Sequence, residues 1–208
     1  MTKMHDLARE SATKKGGAAA SWAKARKKSA SKRDGIKGDA TKRIEKLLAK
    51  EQWAQAQPLL HRELLYDPGS HWLWIMLSQT YYEQRDYETA LACARRAVEL
   101  APNCALVLWH YAGALSMCYQ EDSALAVYSL IKARDLEEIA YGECGEGMDW
   151  AMSLDNDVHF RMGRLYQFLR RNDQARVSYE KYIHNRTHGV ASIYDLEEAR
   201  RHLAEVSV

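Results

Sequence analysis

From residue 39 onward, apolar side chains recur at intervals of three and four, the spacing that gathers them on one face of an α-helix. LLAKEQWAQAQPLLHRELL, residues 47–65, shows the pattern first, and it resumes after each cluster of turn residues. The longest near-apolar run, Cys104 to Tyr119, is broken only by His110 and Ser116. It falls short of the ~20 residues that span a bilayer, so it reads as a helix buried on most sides. Residues 1–38 differ. They are Lys, Ala, Ser and Gly with one aromatic, Trp22. Such a segment buries too little apolar area to offset chain entropy, which predicts a disordered arm with transient helix near AAASWAKARKK.

The helical pattern repeats. Ala56, Ala90 and Ala124 are 34 residues apart; Trp53 and Tyr87 keep that interval, as do Leu60, Ala94 and Tyr128. Asp67-Pro68 returns 34 residues later as Ala101-Pro102. Two antiparallel helices need a small residue where they cross, so that their backbones approach to about 8–10 Å. Ala90 and Ala124 supply it, with Ser78 and Ala112 opposite. One such hairpin cannot hide its own apolar face, so units must stack. A further copy carries Met162, Gly163, Tyr166, Ala175, Tyr179 and Tyr182, with Ala175 lying 51 residues after Ala124, one and a half periods.

HWLWIMLSQTYYEQRDYETALACARRAVELAPN closely resembles a tetratricopeptide repeat. Trp74, Leu77, Ser78 and Tyr81 fall on its first helix, Ala90, Ala94 and Ala97 on its second, and Pro102 closes it; Ser78 and Ala94 depart from the family's usual residues, and both are small. The resemblance implies an all-α solenoid of three to four helix pairs over residues 39–208, behind the arm at 1–38. The repeats are placed at about 37–70, 71–104, 105–134 and 156–186. An acidic connector covers 135–157, and YDLEEARRHLAEV, 194–206, forms a solvent-facing cap. The stripe Ala151, Leu154, Val158, Met162, Leu165, Leu169 predicts that the last repeat's first helix extends back to about Gly147.

Charge divides the chain. Residues 1–43 hold 13 of its 30 Lys and Arg but only 4 of its 28 Asp and Glu, so a basic arm precedes an acidic body. The connector 135–157 contains eight acidic residues and no Lys or Arg. Cys93, Cys104, Cys118 and Cys144 form no CxxC pair and follow no secretory apolar stretch, so they read as reduced thiols of a cytoplasmic protein, each a small buried hydrophobe.

Within the connector, Asp155-Asn156-Asp157 suggests a calcium loop but lacks the required Gly and closing Glu. Zinc would need more ligands near Cys144 and His159. No spacing supports Cys144 as a nucleophile with His110 or His159 as base. The plain reading is structural, with Glu143, Glu146 and Asp149 near a helix N-terminus. A basic partner, or the chain's own arm, is the remaining candidate for this acidic patch.

In similar arrays the first helix of each pair lines a concave groove that receives another chain. The resemblance places Trp72, Ile75, Met76, Gln79 and Tyr82 there in the best repeat. Trp109, His110, Gly113 and Ser116 follow in the next, and Phe160, Arg161 and Arg164 in the last. The Lys, Asn and Arg set with which some family members grip a chaperone's C-terminal carboxylate is absent from the two central repeats. An aromatic and thioether-rich groove suits adaptable apolar contacts, while packing of Trp72 and Trp109 between neighbouring helices is the bland alternative. The expectation is a non-enzymatic, cofactor-free adaptor that binds a peptide or helix of a partner protein, with no membrane contact. The second reading is a nucleic-acid-associated accessory protein using the basic arm.

Overall fold

The structure, a computed structural model, describes residues 37–207. The expectations made for the basic arm lie outside the described residues, except that Lys37 and Gly38, placed in the arm, begin the first helix. Helices follow in the order α1 Lys37–Leu48, α2 Trp53–Tyr66, α3 His71–Glu83, α4 Tyr87–Leu100, α5 Ala105–Met117 and α6 Glu121–Lys132. A short α7, Leu136–Tyr141, leads to α8 Met148–Phe168, α9 Asn172–Thr187 and α10 Leu196–Val206. The described residues contain no strand. Consecutive helices pack as antiparallel neighbours, α1 on α2, α3 on α4, α5 on α6 and α8 on α9, and α10 closes against α9.

The 34-residue interval has a direct structural counterpart. Ala56, Ala90, Ala124 and Ala175 each occupy the fourth position of the second helix of a pair, and all four are 0% exposed. Across the α3–α4 crossing, Ser78 Oγ donates to the Ala90 carbonyl at 2.8 Å. Across α8–α9, a Cβ on Gly163 would lie 2.7 Å from the Tyr179 ring, so only glycine admits this approach.

The turns repeat as faithfully as the crossings. Glu51, Arg85, Tyr119 and Arg170 take φ between 57° and 66°, and they are the non-glycine left-handed residues of the described chain. Each is followed by a residue whose N–H donates back to a carbonyl five positions earlier: Gln52 to Leu47, Asp86 to Tyr81, Gln120 to Leu115 and Arg171 to Tyr166, at 2.8–3.1 Å. This is the hydrogen bond that terminates a helix through a left-handed residue, a place where glycine is favoured. A side chain there costs about 1 kcal/mol. Arg85→Gly is therefore expected to raise stability by about 0.5–1 kcal/mol, read as a higher urea midpoint at unchanged slope.

The acidic stretch divides in two. Its first half holds α7 and a tight turn in which a Cβ on Gly145 would sit 2.2 Å from the Ala140 carbonyl oxygen. Gly147, at φ +98°, precedes α8. Its second half is the added N-terminal length of α8, beginning at Met148 as the apolar stripe requires. Trp150, Ala151 and Leu154 bury this extension in one core with Ile139, Ala140, Leu125 and Ile131. The 17 extra residues thus lengthen a helix and add a short one beneath it.

Candidate functional site

First helices stack on one another: α3 touches α5, and α5 touches α8. Their common side brings together residues from three repeats. Trp72, Met76, Gln79 and Tyr82 are half-buried along α3. Arg161 of α8 carries its guanidinium to α5, 4.0 Å from the Trp109 ring centroid. A Cβ on Gly113 would lie 2.4 Å from Arg161 Nη1, so Gly113 is the seat of this arginine. Arg161 donates to the Tyr128 hydroxyl at 3.2 Å and to the Tyr194 hydroxyl. His110 packs edge-on against Trp109, and burial with the Arg161 charge pushes its imidazole down to about 3. It is neutral at physiological pH.

Trp109 and Gly113 are buried, and two further expected contact residues, Ile75 and Phe160, belong to the core. Ile75 is 1% exposed and packs with Ala97, Cys104 and Val107 between pairs. Phe160 is 0% exposed, stacked on Tyr194 at 4.3 Å and beside Tyr182 at 5.2 Å. Neither can be touched by a partner. The last repeat's share of the groove is occupied by the chain itself, because the segment entering α10 crosses it. Tyr194 covers Phe160 and holds Arg161, and Glu198 lies 3.5 Å from Arg164. Trp109 is 5% exposed, so its ring packs between helices. Tyr128 and Tyr194, the hydroxyls that hold Arg161, were not legible as site residues: Tyr128 stood out only as a position recurring at the repeat interval and Tyr194 only as the first residue of the cap. The candidates that are half-buried rather than buried are Trp72, Met76, Gln79, Tyr82, His110, Ser116, Arg161 and Arg164.

The candidate ligands of the connector separate. Asp155, Asn156 and Asp157 lie on successive positions of α8, not in a loop. Asp155 pairs with Lys132, and His159 Nε2 sits 2.9 Å from Lys132 Nζ. Burial, then the Lys132 charge, pushes His159 down to about 4. Asp157 is fully buried and accepts from Ser192 Oγ and from the Ile193 N–H at 3.3 Å.

The cysteines correct the sequence reading. Cys104 and Cys144, 40 residues apart, are joined in a disulfide with a Cα–Cα separation of 5.7 Å, and only Cys93 and Cys118 remain as thiols. Burial pushes the Cys93 thiol up to about 11, so it is inert. The bond removes the thiol argument for a cytoplasmic location. Among the described residues no helix is long and apolar enough to cross a membrane.

The fold defines a scaffold of stacked helix pairs. Two tetratricopeptide-repeat family models match it, one over residues 47–108 and one over 157–183. These stretches are tetratricopeptide repeats, a kind of repeat that serves in general as a protein-interaction scaffold. Between the matched stretches, α5 and α6 keep the same turn at Tyr119 and the same crossing at Ala124. Three similar solved structures share the fold. The crystal structure of BtubC (BKLC) from P. vanneervenii is 15% identical with a TM-score of 0.61, covering 78% of this chain and 68% of that one. Two crystal structures of MamA are 17% and 16% identical, with TM-scores of 0.54 and 0.52; they cover 81% and 79% of this chain and 91% and 92% of MamA. No curated protein sequence matches.

Proposed function

We propose that the protein is a non-enzymatic adaptor that holds a segment of a partner protein against the side shared by α3, α5 and α8. The observation that carries this reading is the composition of that side. Trp72, Met76 and Tyr82 present apolar and aromatic surface on α3, and the Arg161 guanidinium, held by the Tyr128 and Tyr194 hydroxyls against Trp109, lies near Tyr82; the Glu83 and Asp157 carboxylates act on it only from beyond salt-bridge distance. Aromatic and thioether side chains make adaptable apolar contacts. A buried or half-buried cation held by hydroxyls favours an acceptor on the incoming chain. The partner segment is therefore apolar with at least one acidic group. The acidic connector is a weaker docking candidate, because Asp155 is paired and Asp157 buried; Asp135, Glu137, Glu138, Glu143 and Asp149 remain exposed.

Deleting residues 1–38 separates this reading from nucleic-acid association. Under the adaptor reading, protein capture from extract survives the deletion and is abolished by Met76→Glu with Gln79→Arg. Under the second reading the deletion abolishes capture, and nucleic-acid binding by the intact chain falls steeply with salt.

A further inference from the structure

Three chain segments distant in sequence converge on the Cys104–Cys144 bond. His71 is the first residue of α3, Cys104 is the N-cap of α5, and Cys144 lies in the turn between α7 and α8. His71 Nε2 is 3.3 Å from Cys144 Sγ, and the ligating atoms of all three residues lie within 4.8 Å of one another. The second imidazole nitrogen, Nδ1, faces the Glu143 carboxylate at 3.9 Å.

We propose that, once the disulfide is reduced, His71, Cys104 and Cys144 form a binding site for zinc or a similarly thiophilic divalent ion, with Glu143 orienting the imidazole.

The donor set fits. Two thiolates and an imidazole are preferred ligands of zinc, and they neutralise its two charges while leaving a fourth position for water. Tetrahedral zinc, at about 2.3 Å from sulfur and about 2.0–2.1 Å from nitrogen, sets its sulfur and nitrogen ligands roughly 3.6 Å apart. The Cys144–His71 contact of 3.3 Å is already close to this. The two sulfurs need to part to roughly 3.8 Å, a side-chain motion. A ligating histidine ordinarily gives its other ring N–H to a carboxylate, which fixes the tautomer; Glu143 stands where that carboxylate is required.

Position 104 itself points the same way. Its counterpart one repeat earlier is Ser70, which caps α3 by accepting from the Leu73 N–H at 3.4 Å. Cys104 makes no such cap. A helix N-terminus instead favours the thiolate, the form that binds metal. Cys104 is buried, while His71 and Cys144 are half-buried and form the open side of the site. Reduction by a dithiol or phosphine adds two electrons and two protons to the bond, giving two thiols. Metal binding then releases those two protons.

The full chain, reduced with a phosphine and desalted under argon, is titrated first with Co²⁺ and then with Zn²⁺. Expected are one Co²⁺ per chain with a sulfur-to-cobalt charge-transfer band and tetrahedral ligand-field bands, displaced by one equivalent of Zn²⁺. The oxidised chain gives no such band. Cys104→Ser restores the capping residue used at position 70 and so preserves the helix. It loses the two-thiolate spectrum, as does Cys144→Ser. His71→Ala weakens zinc binding at least tenfold, and Glu143→Gln about tenfold, both at unchanged helical circular dichroism. The proposal is overturned if the disulfide resists reduction, if cobalt shows no sulfur band, if the band keeps its full two-thiolate intensity in either cysteine variant, or if His71→Ala binds zinc as tightly as the native chain.

Discussion

Asp157→Asn is expected to stabilise the protein by about 4 kcal/mol at pH 8 and by about 1.5 kcal/mol at pH 5. Burial, opposed by Ser192, the Ile193 N–H, Arg161 and Arg186, pushes the Asp157 carboxyl up to about 7. In the unfolded chain it returns to about 3.9. Between those values the folded protein holds a proton that the unfolded chain has released. Stability from this group is therefore present at low pH and is lost as pH rises from about 4 to about 7, at about 1.36 kcal/mol per unit. Asparagine removes the titration while its Oδ1 can still accept from Ser192 and Ile193. His110 and His159 act in the opposite sense. Their folded values, about 3 and about 4, lie below the unfolded imidazole, so their contribution is fully present above about pH 6.5 and is lost progressively as pH falls from there through the folded values. Both chains share these terms, so the difference between urea melts of the variant and the native chain isolates Asp157. A difference that does not change with pH would contradict the assignment.

Tyr179→Ala is expected to cost about 3–5 kcal/mol. The ring is 0% exposed, faces Gly163, and lies edge-on to Phe160 at 6.1 Å and stacked with His202 at 5.6 Å. It therefore joins α8, α9 and α10. Its hydroxyl donates to Gln167 Oε1 at 2.8 Å, so Tyr179→Phe should cost only about 1 kcal/mol. In a linear array each pair is stabilised by its own contacts and its neighbours'. The alanine variant should accelerate amide exchange in α8–α10 and leave α2–α4 protected. Uniform acceleration over the whole chain would show a single cooperative body instead.

Periodic features of this molecule could be read without coordinates, and non-periodic ones could not. Ala56, Ala90, Ala124 and Ala175 announce themselves because one steric need, close helix approach, recurs at a fixed interval. The start of α8 at Met148 follows from an unbroken stripe running backward from Leu165. The left-handed turns at Glu51, Arg85, Tyr119 and Arg170 keep the same intervals, but no glycine marks them. The Cys104–Cys144 bond depends on how the extra 17 residues fold back to the start of α5, and no local pattern encodes that return. Its one available signal was Cys104 standing where Ser70 caps the preceding repeat. Groove positions inferred repeat by repeat treat every unit as open. They fail at Ile75, which is buried between pairs, and at Phe160, where the capping segment lies across the last pair and also pairs with Arg164.

Partner docking on the side shared by the first helices is tested most directly by site-specific photo-crosslinking. A photoreactive residue is placed either at Met76, half-buried on α3, or at Val177, 62% exposed on the second helix α9. Adducts with a defined partner protein from position 76 and none from position 177 are the expected result. Adducts from 177 with none from 76 would place the partner on the opposite surface and contradict the proposed mode of binding.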